Sequence, residues 1–172
     1  MNSKAQSIGL AAQSTAAAGK ILAVDYGRAR IGLAIAEAPL GIAQPFGTLE
    51  RINRNEDMRR LRELVRDHAV NLILVGLPLR LDGTRGEMAD EAARFAQRMA
   101  KQIGVPVEMV DERLTSWEAE RLLEGEFGRK SKQLDAASSK RDAVKFTVDS
   151  LAATIILREY LERRSHASQE AR

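Results

Sequence analysis

The chain has no cysteine, so disulfides and thiolate metal sites are excluded, and a reducing compartment is compatible with that lack. Aromatic residues make up only 4% of the 172 residues, with a single tryptophan, so any core must be built largely from aliphatic side chains. Long apolar runs are missing too. The two longest candidates, 70–77 and 151–157, fall well short of the roughly 18 residues that a membrane-spanning helix needs. Neither charge sign dominates: 27 lysines and arginines stand against 24 aspartates and glutamates, a net +3 that leans mildly toward polyanionic partners.

What is present fits one soluble domain, since 44% of the residues are hydrophobic and 30% charged. Residues 1–19, rich in alanine, serine and glutamine, read as a disordered leader, because polar residues interrupt any stretch that could serve as a signal peptide. Residues 163–172 read as a flexible tail, leaving 20–162 as the folded domain.

The chain is organised around Ile21–Ala36. Four apolar residues lead into Asp25, Gly27 and Gly32 flank Arg28 and Arg30, and an apolar run returns: two strands joined by a tight turn. An aspartate ending a buried strand costs free energy unless it is paired or bound, so Asp25 is either a turn cap or a functional acid. The segment 43–49 reads as a third, edge-type strand because it contains Pro45 and Gly47. Residues 55–68 place Met58, Leu61, Leu64, Val65 and His68 on one helical face, with His68 at the helix end. The apolar run 70–76 predicts a strand covered on both faces, 85–103 a second helix with Met88, Ala92, Phe95, Met99 and Ile103 inward, and 105–110 a further strand. That strand runs into Asp111-Glu112-Arg113, and Thr115 with Glu118 can cap a following helix. Residues 125–145 are basic and read as a linker or a phosphate-facing surface. A last helix is predicted over about 141–163, with Val144, Val148, Leu151, Ala152 and Ile155 apolar and Asp149 at the edge of that face. The order predicts a mixed α/β sheet of five strands, the first three antiparallel, flanked by helices.

Three acids thus stand far apart in the chain: Asp25 at one strand end, Glu112 with Asp111 at another, and Asp149 on the final helix. Carboxylates brought together in a cleft repel, and a hard divalent cation, Mg2+ or Mn2+, is the natural neutraliser, able to activate water at a phosphodiester. Arg28 and Arg30 are candidates for phosphate contact or for pairing with acids. Arg113 is a candidate for orienting a carboxylate, contacting phosphate or forming a structural salt bridge, and Trp117 for core packing or base stacking.

The segments Val24–Gly32, Val75–Thr84, Asp111–Ser116 and Val148–Ala153, in that order over about 20–162, resemble the YqgF family, also called RuvX, pre-16S ribosomal RNA nucleases by name and relatives of Holliday junction resolvases. The resemblance implies a ribonuclease H-like fold and a hydrolase active in 5′-end maturation of 16S ribosomal RNA in the bacterial cytoplasm. It implies Asp25, Glu112 and Asp149 as catalytic acids and metal ligands, with Glu112 favoured over Asp111. Arg28, Arg30, Arg113 and Lys145 are the substrate-binding candidates. Two departures stand out: Thr147 occupies the place of a lysine that many relatives carry two residues before the aspartate, and the stretch 125–141 is long for the family. Precursor RNA is the expected partner, with the protein a monomer or homodimer. Branched DNA is the alternative substrate, and a nucleic-acid-binding domain that does not cut is another. Asp25-x-Gly27 also resembles the phosphate motif of actin-like sugar kinases, which need two such lobes where 172 residues supply one.

Overall fold

The computed structural model describes residues 19–38, 41–114 and 147–170. Strands β1 (Gly19–Tyr26), β2 (Arg30–Ala38) and β3 (Gln44–Glu50) form an antiparallel meander, followed by helix α1 (Arg54–Asp67), β4 (Val70–Leu77), helix α2 (Glu87–Gln102) and β5 (Val107–Asp111). A single 3-10 turn, Glu112–Leu114, follows β5, and helix α3 (Val148–Glu170) closes the described chain. The sheet order is β3-β2-β1-β4-β5, with β4 and β5 parallel to β1. This is the mixed five-stranded sheet that the sequence predicts, and β1 is its centre.

Strand alternation sorts the core onto two faces. Leu22 and Val24 of β1 join Ile31, Leu33, Ile73 and Val75 under Met58, Leu61 and Val65 of α1 and Phe95, Ala96 and Met99 of α2. Ile21 and Ala23 point the other way, with Ala34, Ala36, Leu72 and Leu74, toward Ala153, Ile156 and Leu157 of α3. The small side chains on this second face let α3 lie close to the sheet. Asp25 continues the Ile21–Ala23 alternation and so faces α3, whereas Tyr26 faces α2, its ring 5.0 Å from that of Phe95.

Asn53 caps α1, its side chain accepting from the backbone N–H groups of Asn55 and Glu56. His68 lies at the other end of that helix, as its position in the sequence predicts, and its ring meets Phe46 edge-on at 4.7 Å.

The last helix departs from expectation in register. Thr147 and Ser150 cap it reciprocally, the Ser150 N–H donating to Thr147 Oγ1 at 3.1 Å and the Thr147 N–H to Ser150 Oγ at 3.0 Å. The helix therefore begins at Val148, which is 83% exposed rather than inward. Its buried residues are Ser150, Ala153, Thr154, Ile155, Ile156 and Leu157, a face rotated from the predicted one, because two small hydroxyl side chains pack inward with backbone partners of their own. The helix also continues to Glu170, through most of the stretch read as a tail. Lys145, Trp117, the Thr115–Glu118 cap and the stretch 125–141 lie outside the described residues. No helix among the described residues is long and apolar enough to cross a membrane.

Candidate active site

The register of the sheet builds the site. Asp25 is the cross-strand partner of Gly32 on β2, and on the other side Val24 pairs with Val75, which sets Gly76 beside Asp25 on β4. Asp25 is thus flanked by two residues without side chains, and both vacated positions are filled by the other acids. A β-carbon at Gly32 would lie 1.9 Å from the backbone oxygen of Asp149, so the first turn of α3 sits directly on β2. A β-carbon at Gly76 would lie 2.1 Å from Glu112 Oε1. The sequence marked both glycines for backbone geometry. Their pairing with Asp25 across the sheet is what opens the space, and the hairpin register carried that signal for Gly32.

Glu112, and not Asp111, is the acid turned toward Asp25. Strand alternation alone leaves open which of two adjacent residues faces the site. The chain leaves β5 at Asp111 and enters the 3-10 turn, which brings Glu112 over Gly76. Asp111 instead receives Arg113: the Arg113 Nε donates to Oδ1 and Oδ2 at 3.1 Å, and another guanidinium nitrogen to Oδ2 at 2.7 Å. This pairing holds the Asp111 carboxyl below the usual carboxylate range. Arg113 is therefore placed as a salt-bridge partner of Asp111.

Burial dominates the electrostatics of the other two acids. Burial, reinforced by the charge of Asp149, pushes the Asp25 carboxyl up to about 6. Burial again, then the charges of Asp25 and Asp111, push Glu112 up to about 7. Asp25 has no hydrogen-bond or ion-pair partner among the described residues. Asp149 does: Arg30 Nε donates to its Oδ2 at 2.8 Å.

Asp25, Glu112 and Asp149 therefore gather at one end of the central strand, yet their side chains do not close on one point. Among the described residues no three acid or histidine side chains are grouped to hold a single ion. Asp149 is turned to Arg30, while its charge bears on Asp25 and that of Asp25 on Glu112. Beside α3, the hydroxyls of Thr48 and Thr147 hydrogen-bond each other, tying β3 to the helix cap, a contact that the sequence did not suggest. Arg28 is not brought into this group. Its guanidinium spans Glu91, at 2.8 Å, and Glu87, at 3.1 Å, on α2 behind the sheet.

The sequence model of a family described as RuvX, Holliday junction resolvase, matches residues 19–163. The chain belongs to the RuvX family. A protein of Koribacter versatilis (strain Ellin345) named "Putative pre-16S rRNA nuclease" is 40% identical over 159 residues, spanning 92% of this chain and 96% of its own. One of Anaeromyxobacter sp. (strain K) with the same name is 41% identical over 146 residues, 85% of this chain and 98% of its own. Among solved structures, Thermus thermophilus RuvC is similar with a TM-score of 0.50 at 14% identity, covering 84% of this chain and 96% of that one. The fowlpox virus Holliday junction resolvase is similar with a TM-score of 0.50 at 11% identity, covering 84% of this chain and 99% of the viral one. These two likenesses establish the shared ribonuclease H-like fold. Family membership sets the enzyme class of this RuvX protein, a hydrolase of phosphodiester bonds.

Proposed function

We propose that this RuvX protein is a divalent-metal-dependent nuclease that trims precursor 16S ribosomal RNA in the cytoplasm, with Asp25, Glu112 and Asp149 as its acids. One observation carries the reading: Asp25, next to the end of the central strand, lies between two glycines whose vacant side-chain positions are taken up by Glu112 Oε1 and the backbone of Asp149. Packing of this kind concentrates negative charge at one place, against the Coulomb cost of doing so.

The donor set suits Mg2+ or Mn2+, being all oxygen and buried enough to raise two of the pKa values. Asp25 and Glu112 would hold the ion, and Asp149 would join once released from Arg30. A bound divalent ion would polarise the phosphodiester and lower the pKa of an attacking water. The chain's own part is to keep the acids in place. The Thr147–Ser150 cap and the Gly32 contact fix the start of α3, and the 3-10 turn fixes Glu112. Arg30, exposed and paired with Asp149, would donate to a substrate phosphate on leaving that carboxylate.

The RNA substrate rests on the names of relatives that are 40% and 41% identical. Four-way DNA junctions are the second reading, favoured by the description of the family model. The test is cleavage of precursor 16S RNA and of a four-way junction by wild type and by Asp25→Asn, Glu112→Gln and Asp149→Asn, with folding checked by circular dichroism. Each variant should lose metal-dependent cleavage, by several kcal/mol of transition-state stabilisation. Wild-type rates in all three would sink the site, and preference for the junction would transfer the assignment to DNA.

A further inference from the structure

Behind the sheet from the acids, a recess of about 250 Å³ opens between α1 and α2, walled by Arg51, Arg54, Arg94 and Arg98 with Glu91 as its lone carboxylate. Tyr26 and Phe95 line its base. Four guanidiniums around one acid is an unfavourable arrangement unless something anionic is bound, and these four are not equivalent. Arg51 is committed: its Nε donates to the buried Asp57 at 3.0 Å, and another guanidinium nitrogen donates to the Tyr26 hydroxyl at 2.8 Å. Arg54 and Arg98 have no hydrogen-bond or ion-pair partner among the described residues, and Arg94 has only the field of Glu91. Glu91 is itself engaged by Arg28. The positive charge of Arg54, Arg94 and Arg98 is therefore unspent.

Position connects the recess to the acids. Tyr26, in its lining, follows Asp25 directly, and alternation sends the two side chains to opposite faces of the same strand end. Arg28, in the turn between β1 and β2, reaches Glu91 on the recess side, and Arg30, the first residue of β2, reaches Asp149 on the acid side. Arg30 at Asp149, Arg28 at Glu91 and the Arg94 and Arg98 of the recess thus lie on the two sides of one strand end. A chain of phosphates could pass around that end, and guanidinium forks suit phosphate oxygens.

We propose that the recess is a phosphate-binding subsite for the nucleic-acid strand flanking the scissile bond, which wraps around the end of β1. This rests on the nuclease reading above and names a part of the protein that the reading does not use. The recess is below the roughly 300–1,000 Å³ of a drug-sized ligand site and on the scale of a phosphate with its ester arms.

The test is binding of a fluorescein-labelled single-stranded RNA, carrying the precursor 5′ sequence, to the full chain in EDTA, followed by anisotropy across a salt series. Arg94→Gln and Arg98→Gln should each weaken binding about 3- to 10-fold and lower the slope of log affinity against log salt by about 0.7 per lost contact. Arg98→Lys should recover most of the affinity, which a merely structural role would not predict. Arg54→Gln, at an exposed helix start, keeps the test decisive if an α2 variant unfolds. Unchanged affinity and slope in the folded Arg54→Gln/Arg94→Gln variant, or in Arg54→Gln alone where the α2 variants unfold, would overturn the subsite. Because no divalent ion is present, the outcome is separate from cleavage. Wild type that cleaves while the arginine variants bind normally removes the subsite alone, and wild type that never cleaves while the arginine variants lose affinity removes the nuclease reading and leaves the recess a phosphate-binding surface with no scissile bond beside it.

Discussion

Gly32 has no side chain where the backbone of Asp149 crosses β2, and a β-carbon there would lie 1.9 Å from the Asp149 carbonyl oxygen. Gly32→Ala must push α3 off the sheet, because the obstructing atom is backbone. We expect a loss of about 1–3 kcal/mol in urea unfolding, the usual cost of overpacking a close contact, together with lost cleavage. Gly76→Ala meets Glu112 Oε1 and Ile156 Cδ1, the far ends of flexible side chains that can swing aside. It should cost less stability than Gly32→Ala and still impair cleavage by displacing Glu112. Equal stability of both variants with wild type would show that α3 does not pack on Gly32.

The acids make stability pH-dependent. Asp25 and Glu112 carry folded pKa values of about 6 and about 7, above the ordinary 3.8 and 4.5, so the folded state binds protons more tightly than the unfolded chain. The stability they contribute is fully present below about pH 4 and is lost as pH rises through 6 to 7. In EDTA, the contribution of these two groups should make the protein less stable at pH 8 than at pH 5. Asp25→Asn or Glu112→Gln should flatten that difference, and Mn2+ should raise the melting temperature at pH 8 far more than at pH 5. Urea melts at the two pH values check the first claim; a wild-type pH difference that both variants retain would refute it.

Much of this was legible in the sequence because the signals were local. The Asp25 hairpin, the near-continuous apolar β4 and the amphipathic α1 are each announced by a local pattern. The choice of Glu112 over Asp111 came from the family resemblance and not from strand alternation, which stops applying where the chain switches from strand to 3-10 turn between them. The inward face of α3 was not legible: Ser150 and Thr154 are buried there because each bonds a backbone carbonyl, Ser150 that of the capping Thr147 and Thr154 that of Ser150. The recess depends on α1 and α2 meeting in space, and the arginine at a helix start and the pair four residues apart on another say nothing separately.

Ala69, between α1 and β4, has a φ of 53° and is the one non-glycine residue with positive φ among those described. An L-residue pays roughly 1–2 kcal/mol in this left-handed region, whereas glycine occupies it freely at the end of a helix. Ala69→Gly should therefore stabilise the protein, by about 0.5–1 kcal/mol after the greater flexibility of glycine in the unfolded chain is deducted. Thermal and urea unfolding of the purified variant check it, and a loss of stability would contradict the turn geometry.

The last prediction separates the two duties assigned to Arg30. Its bond to Asp149 at 2.8 Å is exposed on the arginine side, where 60% of the side chain is accessible, so the pair should add no more than about 1 kcal/mol to stability. If the guanidinium competes with a divalent ion for Asp149, Arg30→Gln should tighten Mn2+ binding, by about 2- to 10-fold in calorimetry, since a partner drawing the carboxylate aside has gone. The same variant should weaken RNA binding in EDTA, because a phosphate-facing cation has gone with it. Opposite movement of the two affinities distinguishes this role from a structural one: a pair that merely anchored α3 would, when broken, weaken both. Weaker Mn2+ binding in Arg30→Gln would instead mean that the pairing seen here holds Asp149 ready for the ion.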